Sequence, residues 1–376
     1  MKIAIIGGGI LGTTHALAAV AAGFHVIQFE RDDEARSASV RNFGLIWVSG
    51  RSSGPEWEIS LRARQLWDEL HRRIPEMIFR PEGSLTLAVN EAEEAVMHQC
   101  LSKSDAEARQ WRILSKAETQ EINPALKGNY LSSLYCPLDA IVEPGSVLHS
   151  MRKFLSTQKK YTWRNKSDVA AVQDLNNHVL LTLRDGEEIA CDKVILCAGA
   201  DHGSLFKEHF DAAPLRKVRI QMMRTAPFEK KLTTSVADGD SMRYYPAYQV
   251  PTLDGLPPQP PIAHEKHMQL LMVQRIDGTL TIGDTHEYEE PFDFALDERP
   301  YTYLHQLASA LVGVQLPEIT HRWSGVYSQR SDGAICDRRA ISANITSITG
   351  PGGRGNTLAP ALAEETIQEL ITGVRK

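Results

Sequence analysis

Apolar residues in this chain come in short blocks separated by glycine turns and polar helical stretches. Residues 3–6 are an unbroken apolar run, the pattern of a buried parallel strand. Residues 13–22 are rich in alanine and free of proline, and Gly23 supplies a helix stop. Residues 25–29 predict a second strand, closed by Glu30. Further elements follow the same logic. Residues 56–73 predict a helix, 83–90 (GSLTLAVN) a strand, 91–109 a polar helix, 131–137 a strand and 146–158 a helix. Residues 178–201 (HVLLTLRDGEEIACDKVILCAGAD) predict a strand, a D-G turn and an apolar strand ending in Ala198-Gly199. Residues 268–284 predict a hairpin around a second D-G turn. The proline-rich 250–261 reads as a loop, 301–312 as a helix, and 345–373 as a strand, a glycine turn and a final helix.

The first turn carries chemistry. Gly7, Gly9 and Gly12 spell G-x-G-x-x-G between a strand and a helix, with an acid, Glu30, about 20 residues on. The first glycine permits the turn, the second lets backbone approach a pyrophosphate, and the third lets helix pack on strand. The helix start offers N–H groups and a positive dipole end to phosphates. Glu30 can accept hydrogen bonds from ribose hydroxyls. Glycine turns also follow the apolar strands at 194–199 and 345–349, and in a parallel sheet such turns gather at the carboxyl ends of the strands. Three turns so widely spread predict a nucleotide-binding sheet interrupted by a second domain. At this point FAD, NAD and a non-catalytic nucleotide-binding subunit are all open.

Composition narrows the partners. The chain has 376 residues, 42% hydrophobic and 23% charged, with net charge −6. No dense Lys/Arg run offers a nucleic-acid footprint. No apolar run reaches the roughly 20 residues that span a bilayer. The five cysteines (Cys100, Cys136, Cys191, Cys197, Cys336) are scattered and read as free thiols in a reducing compartment. A strand starting at residue 3 leaves no room for a leader peptide, so the expected location is cytoplasmic. HEKH (264–267) is not H-E-x-x-H and reads as a solvated turn, so no metal is expected. His15 and His25 read as structural.

Five motifs in order, IIGGGILG, SASVRNFG (37–44), VILCAGAD (194–201), WSGVYSQRSDG (323–333) and GPGGRGNTLAP (350–360), resemble the FAD-dependent amine oxidoreductases of the D-amino acid oxidase, glycine oxidase and sarcosine oxidase family. The resemblance implies an α/β fold, a FAD-binding Rossmann-like domain of glutathione reductase type with an inserted antiparallel-sheet substrate domain. It divides the chain into 1–80, 140–215 and 320–376 on the FAD side and 81–139 and 216–319 on the substrate side. It places FAD's adenosine diphosphate on Gly7, Gly9, Gly12, Glu30 and Arg31, its adenine side near Val169 and its phosphates near Ala198 and Gly199. Ser39, Asn42, Phe43, Gly44 and Leu45 should run beside the flavin. Gly352, Gly353, Arg354, Gly355, Asn356 and Thr357 should pass near its ring.

The implied chemistry is oxidation of a C–H next to nitrogen, giving an imine that hydrolyses to a carbonyl compound and an amine. The electron acceptor is oxygen or another carrier, and no dedicated base is expected. The chain departs from its relatives at three places. Gly325 stands where sarcosine oxidases carry a flavin-tethering cysteine, which predicts non-covalent FAD. Tyr327 stands where glycine oxidase has its carboxylate-binding arginine, and Thr357 falls near the sarcosine oxidase lysine. SVRNFGLIW (39–47) resembles a branch associated with phosphonate degradation, which suggests a small aminoalkylphosphonate such as 2-aminoethylphosphonate or its N-methyl form. Such an anion asks for several arginine donors and hydroxyls. The candidates are Arg41, Arg51, Arg243, Arg330 and Arg354, with Tyr244, Tyr245 and Tyr327. For His286, Trp47 and Trp323 a structural place is preferred over a pocket place.

Overall fold

The computed structural model describes residues 1–373. Its opening apolar run folds as strand Lys2–Ile6, with Ile3, Ala4 and Ile5 almost fully buried. This strand lies inside a six-stranded sheet in the order Asp337–Ala340, Ile345–Thr349, Lys193–Leu196, Lys2–Ile6, His25–Phe29, Tyr161–Arg164. The pairs are parallel except at the outer strand Asp337–Ala340. Parallel strands require crossovers, and helix Ile10–Ala21 provides the first. Helix Gly355–Thr372 leaves the sheet after its last parallel strand and packs on helix Ile10–Ala21, with Thr14 Oγ1 donating to the Ala359 carbonyl (3.1 Å). Pro360, inside that helix, lacks the N–H that would bond the Asn356 carbonyl. The indole Nε1 of fully buried Trp67 donates to that carbonyl instead (3.1 Å), so the helix continues.

The second sheet has eight strands: Ile319–Arg330, Leu215–Pro227, Thr279–Gly283, Leu271–Gln274, Ser235–Asp238, Ser84–Ala88, Ser132–Cys136 and Arg112–Ser115. Helix Glu298–Val312 covers one face with Tyr301, Leu304, Ala308 and Leu311, at helical spacing. The other face carries Val218, Ile220, Met222 and Leu271, which pack against Phe43 and Trp47 from the nucleotide side. The loop that follows the first nucleotide turn thus packs on the large sheet, and the site lies beside this contact.

Several sequence expectations change. The antiparallel order is broken once, where Ser235–Asp238 pairs parallel to Ser84–Ala88, because these strands arrive from distant segments of the chain. Strand Ile319–Arg330 pairs with Leu215–Pro227 along nearly its whole length, so the division drawn at 320 cuts through the large sheet. The helix expected over 91–109 ends at Cys100. Beyond it Arg109, fully buried, sits over the rings of Trp57 and Trp111 (4.3 and 4.8 Å) and pairs with Asp105, an anchorage that holds the segment in turns. The single apolar strand expected at the end of 178–201 is two. Glu188–Cys191 belongs to a small antiparallel sheet, and the chain switches at Asp192, which is bonded to Lys2, into Lys193–Leu196. The loop 250–261 contains a single tight turn at Pro251–Gly255. His264 and Glu265 end a short helix, Pro261–Glu265, and Lys266 and His267 form the turn after it, with His264, Glu265 and His267 exposed.

All five cysteines are unpaired. Among the described residues no group of three or more His, Cys, Asp or Glu side chains is placed to hold a metal. No described helix is long and apolar enough to cross a membrane.

Candidate active site

The three glycine turns come together at the carboxyl ends of the parallel strands and border one cavity of about 1060 Å³. Gly7 sits at φ +114°, and a Cβ there would lie 2.4 Å from the Cys197 carbonyl oxygen; at Gly12 it would lie 2.0 Å from the Gly7 carbonyl oxygen. Both positions therefore exclude any side chain. Gly8 N–H donates to Glu30 Oε2 (2.8 Å), so the acid that ends the second strand also fixes the turn. Ser39 Oγ accepts from Ile10 N–H at the helix start (2.9 Å). The Asn42 carboxamide oxygen accepts from Gly44 N–H (2.7 Å) and from Asn356 Nδ2 (2.8 Å), which ties the segment after the first turn to the last one. Arg31 pairs with Asp201 across the cavity mouth (2.7 Å).

The cavity continues beneath the large sheet, where the wall becomes aromatic and charged. Arg51 is buried, and its Nε donates to the Trp47 carbonyl (2.8 Å) while its two terminal nitrogens make no hydrogen bond within the described residues. Burial holds its pKa below the usual arginine range, against the attraction of Glu56. Arg216 stacks on Tyr288 (4.1 Å to the ring centre) and uses only Nε, toward Gln329. Tyr245, Tyr288 and Tyr327 line the same space with hydroxyls that bond to no described residue, and burial raises the pKa of all three. Asp284 ends strand Thr279–Gly283 in this wall, and burial pushes its pKa up to about 6.

The sequence candidates separate on this geometry. Val169, Ala198, Gly199, Phe43 and Leu45 line the cavity. Gly44 and Thr357 do not. Gly44 is required both by its φ of +74° and because a Cβ would lie 1.9 Å from the Val142 carbonyl oxygen, and Thr357 is buried with its hydroxyl accepting from Trp47 N–H (2.9 Å). Arg243 is outside the cavity, held by Asp240 and the Pro257 carbonyl. Arg330 and Arg354 reach the cavity but are engaged, the first by Asp332 and Asp337, the second by Glu56 and two carbonyls. Arg41 lies at the rim, bonded to the carbonyls of Arg36 and Ser324. Tyr244 donates to Gln259. His286 and Trp47, taken as structural, line the cavity, whereas Trp323 does not. His15 is structural, buried between helices with its pKa lowered to about 4. Arg216, Tyr288 and Asp284 were not singled out by sequence. Only Asp284 left a signal, an acid directly after the apolar run TIG.

Residues 2–369 match the DAO family model, described as FAD dependent oxidoreductase. The chain belongs to this family. FAD is therefore the cofactor, and the nicotinamide alternative falls. An opine oxidase subunit of Rhizobium meliloti is 24% identical over 236 residues, 60% of this chain and 63% of that protein, so the match spans under two thirds of the relative's length. Glycine oxidase from Geobacillus kaustophilus superposes with TM-score 0.81 at 18% identity, covering 100% of this chain and 96% of that one. Iminodiacetate oxidase from Chelativorans sp. BNC1 gives 0.76 at 19% identity, covering 99% and 95%. At these identities the structures establish the shared fold.

The residues present fit the cofactor. A turn that admits no Cβ, a helix start without acidic residues and an acid at the end of the second strand suit a pyrophosphate and ribose. Gly7, Gly9, Gly12, Glu30 and Arg31 would hold the adenosine diphosphate, with Val169, Ala198 and Gly199 beside it. Ser39, Asn42, Phe43, Leu45 and Gly352 through Asn356 would flank the flavin.

Proposed function

We propose that the protein oxidises a small anionic amine at the C–H beside nitrogen, yielding an imine that hydrolyses to a carbonyl compound and an amine. FAD, bound without a covalent tether, supplies the acceptor for the hydride equivalent. The observation that carries this reading is the single cavity that runs from the three nucleotide turns to a wall with two arginines whose terminal donors are free, Arg51 and Arg216. These side chains bind and orient an anion, while the aromatic wall excludes water. The relatives and structural neighbours named for glycine, iminodiacetate and D-amino acids support an amine substrate. Gly325 at the sarcosine-oxidase tether position supports non-covalent binding.

The anion we propose is a phosphonate, in 2-aminoethylphosphonate or its N-methyl form. The similarity of residues 39–47 to the phosphonate-associated branch supports it, as does Tyr327 where a carboxylate-binding arginine stands in glycine oxidase. A doubly charged tetrahedral group uses donors from two guanidinium groups and neighbouring hydroxyls better than a planar carboxylate does. Anaerobic bleaching of the flavin absorbance tests the reading with glycine, sarcosine, D-alanine and the two phosphonates. Bleaching by the phosphonates alone is expected. Bleaching by the carboxylates alone transfers the site to an amino acid, and bleaching by none refutes amine oxidation. Flavin released to the supernatant on acid precipitation is expected; flavin retained in the pellet refutes non-covalent binding.

A further inference from the structure

Four aspartates among the described residues are buried: Asp139, Asp238, Asp284 and Asp337. Three have hydrogen-bond donors. Asp139 accepts from Val48 and Ser49 N–H and from the hydroxyls of Ser49 and Ser84. Asp238 accepts from Ser241, and Asp337 from Arg330 and Arg339. Asp284 differs. Its main chain exchanges hydrogen bonds with Gln269, but Oδ1 of its carboxyl has no partner, and Oδ2 approaches only His286 Nε2, at 3.8 Å, beyond hydrogen-bond reach. The His286 ring is occupied on its other side, with Nδ1 3.1 Å from the His267 carbonyl oxygen. A buried carboxyl left without donors costs stability unless something else supplies them. This one lines the cavity, as do Tyr245, Tyr288, Tyr327, Arg51 and Arg216.

We infer that Asp284, flanked by His286, is an ammonium subsite. Its carboxylate receives the substrate's protonated nitrogen while the arginines receive the anion. The cavity then reads both ends of a zwitterion and disfavours a simple anion or a simple amine. The inference rests on the functional reading above and names the substrate class, a small zwitterion. Asp284 is a binding and positioning residue here: it holds the ammonium form, one N–H proton passes to solvent before the neutral amine is oxidised, and no covalent bond is made or broken by Asp284. The groups facing it are His286, whose Nε2 lies 3.8 Å from Oδ2, and the hydroxyls of Tyr245, Tyr288 and Tyr327, which burial keeps protonated.

The test uses the FAD-loaded protein and a probe that cannot be oxidised, the ammonium ion. Ammonium chloride is titrated against potassium chloride at equal ionic strength while the flavin absorbance is followed. A saturable response to ammonium and none to potassium is expected at pH 7.5. It should weaken as pH falls through 6, where Asp284 takes up a proton. Asp284→Asn should abolish the response, and Asp284→Glu, which keeps the charge, should restore part of it. Asp284→Asn should also melt no lower than the wild type at pH 8, because it removes an unsatisfied anion. A purely structural Asp284 would give the opposite shift. No ammonium response in the wild type, or an unchanged one in Asp284→Asn, overturns the inference. The two readings fail separately. If amines bleach wild type and Asp284→Asn with equal KM, the subsite is wrong and the function stands. If no amine bleaches the wild type but ammonium binds through Asp284, the function is wrong and the subsite stands.

Discussion

Three residues show how closely backbone and side-chain geometry control this site. A Cβ on Gly12 would sit 2.0 Å from a backbone oxygen that cannot rotate away. Gly12→Ala must displace the first turn, and we expect the purified variant to lose at least tenfold in bound flavin, read from the visible-to-ultraviolet absorbance ratio after dialysis. Full flavin content would show that the turn yields without harm. Arg51 and Arg243 form a second contrast, since both are arginines near tyrosines in the fold or the sequence. Arg51 offers free donors to the cavity, and Arg243 is held outside it by Asp240. A hydrogen bond to a charged group contributes about 1.5–3 kcal/mol, so Arg51→Met should lower kcat/KM by about 10- to 100-fold. Arg243→Met should stay within about twofold. Equal losses in the two variants would contradict this sorting of the arginines.

At the scale of elements, the packing of the first and last helices depends on His15. Its Nδ1 lies 2.6 Å from the Leu11 carbonyl oxygen and its Nε2 3.2 Å from Thr366 Oγ1, with the ring fully buried. Burial lowers its pKa from 6.5 to about 4, so the folded state holds it neutral while the unfolded chain takes up a proton. Its contribution is therefore intact above pH 6.5 and is lost as pH falls toward 4, to a limit of about 3 kcal/mol. In urea melts, the stability difference between wild type and His15→Gln should shift by about 2 kcal/mol against the wild type between pH 7.5 and pH 5. A difference that stays constant would mean that His15 titrates normally. The spacing of motif and helix was visible in the sequence here because it is local. That one long apolar block splits between two sheets at Asp192 was not visible, because hydrophobic pattern records burial and not which sheet does the burying.

For the whole molecule, the tie between the nucleotide-side loop and the large sheet runs through Asp139. It joins Val48 and Ser49 to Ser84, the first residue of strand Ser84–Ala88. Asp139→Ala would leave two N–H groups and two hydroxyls without their acceptor. We expect a loss of about 3 kcal/mol or more, seen as a lower calorimetric melting temperature. A change within about 1 °C would show that the two parts are held together elsewhere.

The sequence by itself determined the parts of this protein that are local. These are three glycine turns after apolar strands, an acid at the end of the second strand, and a first helix stopped at Gly23. Each follows from steric rules that act over a few residues. Only the tertiary structure decided which basic and acidic groups share the cavity. Arg216 comes from a segment distant from Asp284 and Tyr288 and is brought to their wall by strand register, and Arg243 is turned away by an ion pair three residues off. A sheet joins residues that are far apart in sequence, so their encounter leaves no local signature. The unsatisfied carboxyl of Asp284 is visible only once every donor around it has been placed.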